Sequence, residues 1–252
     1  MTALTSIIAQ VEFPPIENIV EYPGFFNKIA VINLVAVIAT SALFLAAASK
    51  KAMVPKGAQN LAESAVDFIR KGIIDQTIGS DGMRYLPYLT ALFFYILIGN
   101  IFEVIPTAHM PANARMATPA FLAILTWGFF ISVGVRYHGL KYFTGVLFPP
   151  GVPKALYLLV TPIELISTFI VRPFSLAVRL FANMLAGHIL LVTFSVLCIT
   201  LFSASLLILA LPFSFAMLVG LTGFEIMVAF LQAYIFTILA AVYIGGALHP
   251  EH

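Results

Sequence analysis

Two arginines, an asparagine and a histidine (Arg172, Arg179, Asn183 and His188) stand in one of the most apolar stretches of the chain, RPFSLAVRLFANMLAGH. An ionised side chain at the centre of a bilayer costs about 2.5–3.5 kcal/mol on insertion scales, so such residues need a reason to be there. Glu164 lies eight residues before Arg172, and Arg179 lies seven after it, which sets the three roughly along one helical face. Ser175, Arg179 and Asn183 follow at i, i+4 and i+8 on that face. In the last apolar run Glu225 is the only formal charge, and Glu225, Ala229, Gln232 and Phe236 form a comparable stripe. An arginine keeps its proton under any biological condition, a histidine exchanges one near neutrality, and a carboxylate accepts one. Together in membrane helices these groups have the chemistry of an ion or proton pathway.

The same residues admit plainer roles. Arg172, near the start of its helix, can snorkel to the interface. Arg179 can pair internally with Glu225, His188 can be a hydrogen-bonded interior histidine, and Glu225 a neutral hydrogen-bond donor. His249 and His252 read as a solvated tail, and Arg136 and His138 as interfacial. No Gly-rich phosphate loop, metal cluster or nucleophile triad occurs, so no cofactor or metal is expected. From the residues alone three functions stay open. They are an ion-conducting subunit, a secondary transporter in which Arg179 binds an anionic substrate, and a non-conducting membrane anchor. Transporter folds usually carry internal repeats, and none is visible here.

The elements that must position these groups are set by hydrocarbon thickness. The chain is 61% hydrophobic and 10% charged, against roughly 45–50% and 25% in soluble domains. That composition marks an all-α integral membrane protein, and 252 residues make a single membrane domain. The lone Cys198 excludes an internal disulfide, and a net charge of +2 is too small to imply nucleic acid. Residues 1–28 read as an outer N-terminal segment without the order of a secretory signal. Residues 29–49 are a first span, and residues 85–103 and 116–137 a helical hairpin. Residues 58–79 read as an amphipathic interfacial helix, with Leu61, Ala65, Phe68, Ile69 and Ile73 opposed to Glu63, Asp67, Arg70, Lys71 and Asp75. The runs 154–201 and 206–248 would each measure about 65–70 Å as helices, twice the roughly 30 Å hydrocarbon core. Two long tilted helices folded back as a hairpin are expected, giving five crossings. Gly220, Gly223, Ala182, Ala186 and Gly187 are the small residues that would let them approach closely.

With five crossings, Lys50, Lys51, Lys56, Arg70, Lys71, Arg84, Arg136, Lys141 and Lys154 fall on one side, and only Lys28 and Arg115 on the other. The positive-inside rule then places the N-terminus outside and the C-terminus in the cytoplasm.

SLAVRLFANMLAGHILL (175–191) resembles the signature of subunit a of F-type rotary ATP synthases. GNIFEVIP (99–106), PIELISTFIVRP (162–173) and FEIMVAFLQAYIFTILAAVYIGGALH (224–249) are similar to further segments of that family and extend the likeness over most of the chain. The resemblance implies a proton-conducting stator subunit in a bacterial plasma membrane. Such a subunit has no catalytic site of its own, and its partners are a c-subunit ring, peripheral-stalk b subunits, the rest of the complex and lipid. It implies that Arg179 is the fixed charge facing the ring carboxyls, with Asn183 beside it and Gln232 facing it. His188 and Glu225 would line an outer half-channel, and Tyr243 a polar position on the closing helix. The segment from Glu164 to Arg172 is one residue longer than the family pattern. The resemblance puts Glu164 on an inner half-channel and Arg172 among the proton-pathway residues, and the extra residue raises the expectation of a bulge in the helix between them.

Overall fold

The computed structural model describes residues 28–49, 57–105, 112–113, 115–148, 156–203 and 207–249. Residues 1–27, Lys50, Lys51, Lys56, Lys154 and His252, all used in the sequence reading, lie outside the described residues. Every regular element among those described is helical.

Helix α1 is Lys28–Ser49. Helix α2, Ala58–Ile69, runs on through a π-helical turn, Arg70–Ile74, and a last α turn, Asp75–Thr77. A 3₁₀ turn, Ser80–Tyr85, leads into α3, Leu86–Ile101, whose first turn holds Pro87, where the missing N–H costs nothing. Helix α4, Ala117–His138, stops at Gly139, whose φ of 62° suits a residue without a Cβ, and is followed by the short α5, Lys141–Leu147. Helix α6, Tyr157–Ile166, passes through a second π-turn, Ser167–Val171, into α7, Arg172–Ser203. After a 3₁₀ turn, Leu207–Ala210, comes α8, Leu211–Leu248.

Among the described residues five helices are long and apolar enough to cross a membrane: 29–47, 80–101, 117–138, 157–202 and 208–248. The last two, of 46 and 41 residues, each form one continuous helix rather than two crossings. At about 1.5 Å per residue they exceed the hydrocarbon thickness twofold, so they must run obliquely or project beyond it.

The core lies where α8 packs on α3, α4 and α7, with Leu89, Ile96, Phe130, Leu180, Phe236 and Ile244 fully buried. The apolar stripe of α2 is spent largely inside the protein. Ile69, Ile73 and Ile74 join that core, and Phe68 packs against Phe93, Phe230 and Tyr234. Its polar face stays outside, where Lys71 Nζ donates to Asp67 Oδ2 at 2.9 Å and holds the Asp67 carboxyl below its ordinary range. Leu61 and Phe68 of the stripe stay exposed, at 59% and 40%. Helix α1 is tied to α3 by Tyr95, whose hydroxyl donates to Asn33 Oδ1 at 2.6 Å.

At one end of the bundle three contacts fasten chain segments together. His249 Nε2 meets Asp81 Oδ2 at 3.3 Å, His138 Nε2 meets the Leu248 carbonyl at 3.0 Å, and Arg84 donates to the Tyr137 hydroxyl at 3.2 Å. His249 stays exposed, as a solvated tail should, while it meets Asp81.

Candidate functional site

Helices α7 and α8 run side by side, and their contact holds most of the unusual residues. Asn183 Nδ2 donates to Gln232 Oε1 at 2.7 Å. One helical turn further along α7, Gly187 lies against the carboxyl group of Glu225, and His188, half-buried, is the next residue. The stripe Glu225, Ala229, Gln232 and Phe236 is buried along its whole length, at 3%, 1%, 1% and 1% exposure.

Why a glycine stands at 187 follows from that packing. A Cβ there would collide with the Glu225 carboxyl, which is the far end of a flexible side chain and can rotate away. Gly187→Ala is therefore expected to leave the amount of assembled protein near normal while moving the carboxyl from its place. The measurement is protein yield together with proton transport. Transport should fall several-fold, and an unaltered rate would mean that the position of Glu225 does not matter.

Arg179 stands two turns from Gly187 on α7, about 80° round the helix from it. Its side chain is exposed, and among the described residues no acidic group pairs with it. The internal Arg179–Glu225 salt bridge, one of the plainer readings, is thus not formed. Nor does Gln232 bond to Arg179; its carbonyl oxygen is taken by Asn183. Ala182 and Ala186 are exposed on the same side as Arg179, and a Cβ at Gly220 or Gly223 would meet nothing within 4 Å. Of the five small residues expected at the α7–α8 contact, Gly187 is the one that serves it; the others are exposed. Ser175, one turn before Arg179, is half-buried. Cys198 is half-buried, with Sγ 3.5 Å from Ser214 Oγ.

Arg172 is held at the start of α7, its guanidinium 5.3 Å from the centre of the Tyr243 ring on α8. Tyr243 in turn packs on Phe130. A cation over an aromatic face is stabilised without leaving the membrane interior, so Arg172 need not snorkel. Glu164 sits in α6, half-buried, beyond the π-turn.

The sequence reading missed three buried polar groups. Glu103, used there as a span boundary, is buried to 3% exposure and lies within Coulombic reach of Glu225. Asn113 Nδ2 donates to Asn100 Oδ1 at 2.6 Å in a fully buried pair. Asn100 and Glu103, at i and i+3 on the end of α3, carried a signal that was overlooked. Asn113 carried none, because its partner comes from a distant segment.

Several of these atoms lack partners among the described residues: Glu225 Oε2, Glu103 Oε1, Asn100 Nδ2, Asn113 Oδ1 and Gln232 Nε2. A buried polar atom left unpaired costs about 1–3 kcal/mol, so a cluster of them is kept for something other than stability. Such groups are served by ordered water and suit a hydrated path for protons. The arrangement thus has two parts. One is a set of buried polar groups on α8 and on α3, which packs against it. The other is a lone cation presented outward.

A family described as ATP synthase A chain matches residues 29–245. Among curated proteins, ATP synthase subunit a of Frankia alni is 44% identical over 236 residues, covering 90% of this chain and 80% of the relative. Subunit a of Rhodococcus erythropolis is 42% identical over 250 residues, covering 95% and 88%. Subunit a of Mesorhizobium japonicum is 38% identical over 238 residues, covering 93% and 92%.

Proposed function

The chain belongs to the ATP synthase A chain family, and from that premise we propose that it is the proton-conducting stator subunit of the membrane sector. In this reading its partners are a ring of c subunits, the peripheral-stalk b subunits, the rest of the complex and surrounding lipid. The observation that carries it is the exposed side chain of Arg179, unpaired among the described residues and beside the exposed Ala182 and Ala186. A permanent charge on an otherwise apolar surface is costly in hydrocarbon. It is stabilised where a second polypeptide brings a carboxylate to it, and small side chains let that polypeptide come close.

The mechanism follows from charge and solvation. A ring carboxyl in lipid must stay neutral, because an ionised carboxylate is strongly disfavoured there. Opposite Arg179 the negative form gains a partner, which favours loss of the proton. Protons therefore leave the ring on one side of Arg179 and join it on the other. The arginine keeps its own proton and bars direct leakage between the two paths. On the outer side Glu225, His188, Asn183 and Gln232 form the track, with Glu103, Asn100 and Asn113 extending it. On the inner side stand Glu164, Ser175, Arg172 and Tyr243. Each proton driven by 100 mV yields about 2.3 kcal/mol, and the offset between the two tracks turns that yield into rotation.

The excess of Lys and Arg on one side supports an N-terminus outside and a C-terminus in the cytoplasm of a bacterial plasma membrane. Passive proton flux through membrane sectors reconstituted with and without this chain tests the reading. Flux that depends on the chain is expected; equal flux in both would remove it from the conducting path.

A further inference from the structure

We propose that Trp127 is a positioning residue that holds the π-turn Ser167–Val171 and so sets the face on which Glu164 stands relative to Arg172. The proposal rests on the functional reading above, because it gives Glu164 a place on the inner track.

The turn has an unusual backbone problem. The Arg172 N–H bonds to the Ser167 carbonyl, five residues back rather than four. In that pattern the next carbonyl, that of Thr168, would look to residue 173, which is proline and has no N–H. Thr168 is fully buried, so no solvent reaches its carbonyl. The indole N–H of Trp127, the only tryptophan in the chain, donates to that oxygen at 3.1 Å from α4. Its ring packs edge-on against Phe169, which also stacks on Phe143. The other π-turn has a related contact, the Tyr234 hydroxyl donating to the Gly72 carbonyl at 3.2 Å.

The consequence is rotational. At about 100° per residue, eight residues of unbroken α-helix would leave Glu164 about 80° away from Arg172. A π-turn absorbs one extra residue, and the remaining seven bring the two within about 20° of each other. The residue by which this segment exceeds the family pattern is thus taken up locally, and Glu164 returns to the stripe that continues to Arg179. Without the indole donor the buried carbonyl is orphaned, and the turn loses the bond that favours it over a regular helix.

The test uses the complete reconstituted complex, with co-purification of the other subunits as the check on assembly. Trp127→Phe keeps an aromatic ring and removes the donor; it should lower ATP-driven proton pumping about fivefold, the change that one hydrogen bond allows. Glu164→Gln should lower pumping in the native background and add nothing in the Trp127→Phe background. Pro173→Ala returns an N–H to the turn, and in the Trp127→Phe background it should restore most of the lost rate. Native pumping by Trp127→Phe, independent effects of Trp127→Phe and Glu164→Gln, or no recovery with Pro173→Ala would each overturn the proposal. Arg179→Ala is run alongside. If it still pumps, the functional reading itself fails; if it is dead while Trp127→Phe is native-like, only the positioning role falls.

Discussion

Arg179→Ala is expected to reduce ATP-driven proton pumping to background while the complex still assembles. The side chain is exposed and has no partner within the chain among the described residues. Removing such a group changes folding stability by no more than about 0.5 kcal/mol, so a loss of pumping cannot be put down to unfolding. What is lost is the charge that lets a ring carboxyl ionise in hydrocarbon, together with the barrier between the two proton tracks. Passive proton leak through the sector should therefore rise as coupled pumping disappears. Pumping at the native rate by an assembled Arg179→Ala complex would contradict the assignment.

Glu225→Gln is expected to slow proton transport about tenfold or more, and to flatten its dependence on the pH of the outer side. The amide fills the same space against Gly187 and can still hydrogen bond, but it can neither accept nor release a proton. The effect should be smaller than that of Arg179→Ala, because Glu103 lies within Coulombic reach and keeps a carboxyl on the same track. Transport assayed over a range of outer pH decides the matter. An unchanged profile would take Glu225 off the pathway.

Which parts of this were legible in the sequence has a physical pattern. The five helices were readable because the bilayer imposes a length and a polarity on each, and the two long runs had no polar turn that would have cut them in two. The bulge between Glu164 and Arg172 was expected from a single surplus residue, and the π-turn Ser167–Val171 is its form. The second π-turn, Arg70–Ile74, had no such warning, since nothing in RKGII distinguishes it from an α-helical turn. The buried stripe of α8 followed from spacing, whereas the direction in which Arg179 points did not. A helical wheel shows that Arg179 and Glu225 are both polar, but not that one is turned out and the other in. The small residues misled for the same reason. Ala182 and Ala186 look suited to a contact within the chain, yet they are exposed on the side of Arg179, and Gly187 alone meets Glu225. Asn113 became meaningful only when the fold laid its segment on Asn100.

The most direct measurement places a cysteine at Ala186 in a chain whose Cys198 has been replaced by serine, and a second cysteine beside the carboxyl of the ring subunit. The account predicts that oxidation links the two within the assembled complex, and that a cysteine at the buried Met184, on the other side of the same helix, gives no such link. Failure of the Ala186 cysteine to cross-link, with ready linkage from a helix face away from Arg179, would contradict the claim that this cation meets the ring.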